Sequence, residues 1–280
     1  MPVYAKAGLQ PVIAGFNFVL LCLSSVFIAA AGYIINDYFD RNIDLINKPD
    51  KMVVDKIIHR RWAIIWHLVL SISGIVMGFY LDFTTRTYLV GVANAICVLL
   101  LFIYSISLKR KFLIGNVIIS LLTAWVILVV TWCENYHIVN ARNGLRVEKI
   151  IRETFLFAGF AFIISLIREV VKDMEDIEGD RKYGCRTMPI VWGINPTKVF
   201  TAVWLIVLIV TLGIVQAYAA HLQWWLSIVY CVLLIIAPLL WIFKNLYSAK
   251  TSKDFHSLSS LIKLVMLTGI LSMIFFKYYG

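Results

Sequence analysis

Six aspartates stand in two sets that share one spacing. Asp37, Asp40 and Asp44 lie in NDYFDRNID, and Asp173, Asp176 and Asp180 lie in DMEDIEGD; each set reads D-x-x-D-x-x-x-D, and corresponding members are 136 residues apart. At 100° per residue this spacing puts three carboxylates within about 60° of one another on a helix. Like charges on one face repel, and folding alone supplies no reason for them. A hard divalent cation does. Mg²⁺ takes oxygen ligands and is usually held by one or two carboxylates, with water and phosphate oxygens completing its octahedron. Two such sets facing each other would hold a diphosphate through Mg²⁺, and nearby lysines and arginines would neutralise the remaining phosphate charge. A solvated helix end explains one such set; it explains two of identical spacing poorly.

The elements that position these residues are apolar. The chain has 280 residues, 61% hydrophobic and 15% charged, with mean hydropathy +0.85, well beyond a soluble domain. Eight segments are long enough to span a bilayer: roughly 12–35, 63–81, 88–108, 112–133, 153–171, 199–220, 224–243 and 257–278. Backbone groups in lipid must be satisfied within their own segment, so an all-α, polytopic transmembrane bundle is expected rather than a barrel. Trp62, Tyr88, Trp132, Trp224, Trp225, Tyr278 and Tyr279 near segment ends fit an interfacial belt. The offset between the aspartate sets reads as an internal repeat of two four-helix units with a cytoplasmic cap. The whole of 1–280 reads as one domain.

The net charge of +10 follows the helices and is no sign of nucleic-acid binding. Loops 36–62, 109–111, 172–198 and 244–256 carry 17 Lys/Arg, against about seven on the opposite face. The positive-inside rule puts both aspartate sets on the cytoplasmic side, which predicts a multi-pass protein of the cell's inner (plasma) membrane. With eight spans both termini fall outside, so a further helix upstream of Met1 is expected to be missing from this sequence. Cys22, Cys97, Cys133, Cys185 and Cys231 are scattered singly, without metal-ligand spacing.

Taken together, NDYFDRNID with NKPDK, the segment IYSISLKRKFLIGN at 103–116 and REVVKDMEDIEGD closely resemble the UbiA superfamily of intramembrane prenyltransferases. The resemblance extends from about residue 16 to the end. It implies nine helices where eight are visible, the absent first one carrying an Arg-Pro motif. It also implies a reaction: an Mg²⁺-bound polyprenyl diphosphate donor ionises at its allylic C–O bond, and a lipid or aromatic acceptor takes the prenyl group within an apolar interior that excludes water. By that likeness Asp37, Asp40, Asp173 and Asp176, expected to lie deepest, are metal ligands. Asn36, Asp44 and Asp180 support them, Lys109 contacts diphosphate, and Tyr104 lies a turn deeper. Lys48, Lys51, Arg181, Lys182 and Arg186 are expected in the cap. The wording REVVKDMEDIEGD followed by GCRTMPIVWG is most similar to the digeranylgeranylglyceryl-phosphate synthase branch, which prenylates a glycerophosphate lipid hydroxyl. Branches acting on 4-hydroxybenzoate or dihydroxynaphthoate are the alternative.

Other polar residues within the spans have plainer explanations. Asn116, Ser120 and Thr123 form a stripe that helix packing accounts for in part, with Asn116 the strongest pocket candidate. An intramembrane Arg168 asks for a partner or an anionic ligand, and Glu169 is its neighbour. Lys263 is close enough to an interface to snorkel, His67 reads as a packed histidine, and the glycines of GIVMG (74–78) read as packing devices. A transporter would place its acids at midplane beside broken helices; here they sit at one interface. A catalytically dead paralogue would not need six intact aspartates.

Overall fold

The computed structural model describes residues 13–47, 52–134 and 144–279, and within them the chain is all-helical apart from turns and one isolated bridge, Val54–Ile58. Helix α1 is Phe16–Asn47, α2 Arg60–Thr85, α3 Val90–Ile106, α4 Ile114–Cys133 and α5 Gly144–Glu175. Two short helices follow, α6 (Ile177–Lys182) and α7 (Met188–Val191), then α8 (Ile194–His221), α9 (Trp225–Cys231), α10 (Ala237–Ser248) and α11 (Ser252–Leu271). Among the described residues, seven helical stretches are long and apolar enough to cross a membrane, with α9 and α10 acting as one. The eighth expected span, 88–108, is shorter: α3 has 17 residues. Leu89 ahead of it adopts a left-handed φ of 66°, and a single 3₁₀ turn, Leu108–Arg110, takes the chain off its other end.

Among the described residues, four long helices end by Cys133 and four long stretches begin from Gly144 onward, as the repeat requires. In the first half, small residues let backbones approach. A Cβ added to Gly74 would lie 2.7 Å from Ile28 Cγ1, and one on Gly78 would lie 2.9 Å from Gly91 Cα. Membrane helices gain little from hydrophobic driving force against each other, so close packing and interhelical hydrogen bonds hold them. Here Asn94 Nδ2 donates to Ser24 Oγ (2.8 Å) and to Gly74 O (3.0 Å), and His67 Nδ1 lies 3.0 Å from Ala31 O. GIVMG and His67 are therefore packing elements, as expected.

The second half packs α5, α8, α9–α10 and α11 around Ile164, Ile167, Leu205, Leu208, Leu239 and Ile262. Between α9 and α10 the chain forms a π-helical stretch, Val232–Ile236, just ahead of Pro238. Proline has no N–H to offer the carbonyl four residues back, and Thr268 Oγ1 donates to that carbonyl, Leu234 O, at 3.0 Å. The aromatic belt is visible at the other end, where Trp132 Nε1 donates to Tyr88 O and Trp224 stacks on Tyr279.

One sequence expectation is corrected. The first aspartate set lies on a single helix, α1, but the second does not. Helix α5 ends at Glu175, Asp176 has φ −96° and ψ 10°, and Asp180 belongs to α6. Asn47 causes this by competing for the main chain: its Nδ2 donates to Asp176 O (3.0 Å) and its Oδ1 accepts from Gly179 N (2.9 Å).

Candidate active site

The ends of α1, α3 and α5 meet α6 around a cavity of about 220 Å³. All six aspartates line it: Asp37, Asp40 and Asp44 from α1, Asp173 and Asp176 from the end of α5, and Asp180 from α6. The two sets, remote in sequence, thus face each other. Asn36, Tyr104 and Lys109 also line the cavity. So do five polar or charged groups that the sequence reading did not place there: Arg41, Arg110, Glu169, Lys172 and Cys185.

Each charge near the rim has a geometric role. Lys109, on the 3₁₀ turn, bonds Asp40 Oδ1 at 2.6 Å and donates to Asn36 Oδ1 at 3.1 Å, while Asn36 Nδ2 donates to Asp40 Oδ2 at 2.7 Å. Asp40 is held at both oxygens, and Lys109 spans α1 and the turn after α3. Burial lowers the Lys109 pKa, and the Asp40 carboxylate beside it works against that. Asn116, from α4, does not line the cavity; its Nδ2 donates to Asp173 Oδ2 at 2.8 Å, so it aims an aspartate. Asp37 was expected among the deepest groups. It lies nearest the bilayer along α1, yet it is the most accessible of the six.

Burial, reinforced by negative charge on Asp176 and Asp40, raises the Asp180 carboxyl to about 7. Cys185 is pushed up to about 11 for the same leading reason, with Asp180 adding to it, so its thiol stays neutral and is a poor nucleophile. Residues 52–54 line the cavity on its loop side, and Arg41 Nε bonds Asp55 at 2.5 Å, tying that loop to α1.

Other expected site residues stand elsewhere. Arg168 does not line the cavity; it pairs with Glu169, which does. Arg186 lines a separate groove with Lys111, Phe112, Ile114 and Val191, and its backbone N donates to Arg110 O at 2.7 Å. Arg181 and Lys182 are exposed and outside the cavity. Lys48 and Lys51 lie outside the described residues. The reading missed Asn47, whose only signal was an amide one turn beyond Asp44. Glu169 and Lys172 fall in register with Asp173 and Asp176 one turn earlier, a cue that their charge type concealed.

The cavity therefore carries seven carboxylates (six Asp and Glu169) against four cations (Arg41, Lys109, Arg110, Lys172). Among the described residues, no three of these groups come close enough together to enclose an ion unaided. That suits a hard cation whose shell is completed by phosphate oxygens and water.

The structure thus defines a helical membrane bundle with two opposed aspartate sets at one rim. The comparisons identify the family: residues 3–267 match the UbiA prenyltransferase family, and the chain belongs to it. It is 29% identical over 264 residues to digeranylgeranylglyceryl phosphate synthase of Methanosphaera stadtmanae, covering 92% of this chain and 87% of that one. A solved structure from work on the biosynthesis of digeranylgeranylglyceryl phosphate synthase in membranes aligns with TM-score 0.56 at 25% identity, over 94% of this chain and 85% of that one. A UbiA homologue from Archaeoglobus fulgidus, solved bound to DMAPP and Mg²⁺, shares the fold with TM-score 0.53 at 14% identity, over 96% and 94% of the two chains. The protein is a multi-pass membrane prenyltransferase.

Proposed function

We propose that the chain transfers a geranylgeranyl group from its diphosphate to the free hydroxyl of geranylgeranylglyceryl phosphate, in the cell membrane and with the site open to the cytoplasm. The observation that carries this reading is the convergence of both aspartate sets on one cavity at the basic rim. Relatives named for that synthase support the acceptor, and the DMAPP and Mg²⁺ bound by the Archaeoglobus homologue support the donor class and the cation.

The donor set fits Mg²⁺: Asp37, Asp40, Asp173 and Asp176 would hold it, with Asp44 and Asp180 behind them. Bound there, Mg²⁺ would supply Lewis-acid stabilisation of the leaving diphosphate. The chain's own residues do the rest. Lys109, Lys172, Arg41 and Arg110 balance phosphate charge. Asn36 and Asn116 hold two of the aspartates in orientation. As the allylic C–O bond breaks, its electron pair goes to the diphosphate, and the acceptor oxygen bonds the allylic carbon. The apolar helices keep water from competing for that carbon.

The test is an assay in membranes expressing the chain, with labelled geranylgeranyl diphosphate, Mg²⁺ or EDTA, and a panel of glycerophosphate, 4-hydroxybenzoate and dihydroxynaphthoate acceptors. Mg²⁺-dependent product with the glycerophosphate lipid alone is expected. Product with an aromatic acceptor instead would move the chain to a quinone branch, and no product from any acceptor would overturn the reading.

A further inference from the structure

Prenylating an alcohol leaves a proton to be removed, and two of the rim aspartates, Asp40 and Asp173, are already engaged by neighbouring side chains. Asp40 is engaged by Lys109 and Asn36, Asp173 is engaged by Asn116, and both belong to the set that faces the diphosphate. Glu169 differs from them. It sits on α5 four residues before Asp173, on the same face and about 6 Å nearer the bilayer interior. It is 7% exposed yet lines the cavity together with Tyr104. Arg168 pairs with its Oε1, and Lys172 lies one turn on. An ionisable side chain within a membrane helix is costly and marks function more often than architecture. Here it stands on the cavity wall deeper than the aspartates.

We propose that Glu169 is the general base of the transfer, a role that rests on the reaction proposed above. The acceptor oxygen forms its bond to the allylic carbon while its proton passes to the Glu169 carboxylate. The electron pair of the broken C–O bond leaves with the diphosphate. Arg168 is a positioning residue whose guanidinium pairs with the Glu169 carboxyl and fixes its orientation. Glu169 then returns its proton to water through the open cavity.

The experiment uses the full chain in nanodiscs with geranylgeranyl diphosphate and Mg²⁺. Glu169→Gln is expected to lower kcat for geranylgeranylglyceryl phosphate by roughly 10²–10⁴-fold, with the KM of both substrates within about threefold of wild type. An acceptor analogue bearing a thiol in place of the hydroxyl is several pKa units more acidic, supplies thiolate at about pH 8.5 and depends far less on an enzymic base. It should bring the Glu169→Gln rate to within about tenfold of the wild-type rate with the same analogue. Glu169→Asp, which keeps a carboxylate, should retain hydroxyl transfer at an intermediate rate. Hydroxyl transfer unchanged in Glu169→Gln would overturn the proposal, as would equal loss of hydroxyl and thiol transfer in a variant that still binds donor. Absence of transfer in the wild type would instead overturn the reaction itself.

Discussion

Asp180 is the aspartate whose chemistry departs most usefully from the ordinary. Its carboxyl is raised to about 7, first by burial and then by Asp176 and Asp40. The folded chain keeps a proton that the unfolded chain gives up above about 3.8, so without metal the protein loses stability as pH rises between those values. A cation bound beside Asp180 disfavours that proton electrostatically. The Mg²⁺ dissociation constant should therefore rise by up to about fivefold from pH 7 to pH 6 and level off above neutrality. Asp180→Asn should flatten the profile, as titration calorimetry at several pH values would show. Asn47 gives a second prediction. A Cβ on Gly179 would fall 2.6 Å from both ends of the Asn47 amide, so Gly179→Ala should displace Asn47 and weaken Mg²⁺-dependent activity about as much as Asn47→Ala. Each lost hydrogen bond costs about 1 kcal/mol. The double variant should be no worse than either single one, and strict additivity would show that the two do not act through this contact. The aspartates were legible because spacing and charge repulsion left few explanations for them. Asn47 was not, because its partners are main-chain atoms 129 and 132 residues away.

At the scale of elements, hydrophobic length located every long helix, and the ends departed from it for identifiable reasons. The break between α5 and α6 could not be read from DMEDIEGD, whose residues continue a helical pattern; Asn47, arriving from the other half, interrupts it. The π-helical stretch at 232–236 follows from Pro238, a visible cue, together with Thr268, a partner that only the fold supplies. The glycines were read as packing devices from composition, but only the structure shows which of them touch. Gly78→Ala would press on Gly91 Cα and Asn94 Nδ2 at 2.9 and 2.6 Å. It should cost about 1–3 kcal/mol by overpacking. Gly213→Ala, where a Cβ meets nothing within 4 Å, should be neutral or slightly stabilising, since alanine is the better helix former. Thermal unfolding in detergent separates the two: equal melting temperatures would mean that the Gly78 approach is not a constraint.

For the whole molecule, the asymmetry of 17 cations on one face against about seven on the other and the position of the aspartates at the basic rim lead to one orientation. A single cysteine replacing Lys182, exposed at the end of α6, should react with an impermeant maleimide from the cytoplasmic side alone, and one replacing Arg86, exposed at the far end of α2, from the opposite side; the reverse pattern would invert the topology. The physical logic is that of an amphipathic substrate, whose diphosphate is met at the rim and whose tail belongs in the apolar bundle. Its central claim is that two distant aspartate sets form one diphosphate site. The most direct measurement is calorimetric binding of a non-ionising donor, geranylgeranyl thiolodiphosphate, to purified wild type, Asp40→Asn and Asp176→Asn with and without Mg²⁺. The account predicts Mg²⁺-dependent binding by the wild type, weakened at least tenfold by either substitution. Unchanged binding by Asp176→Asn would show that the second set takes no part and would contradict the account.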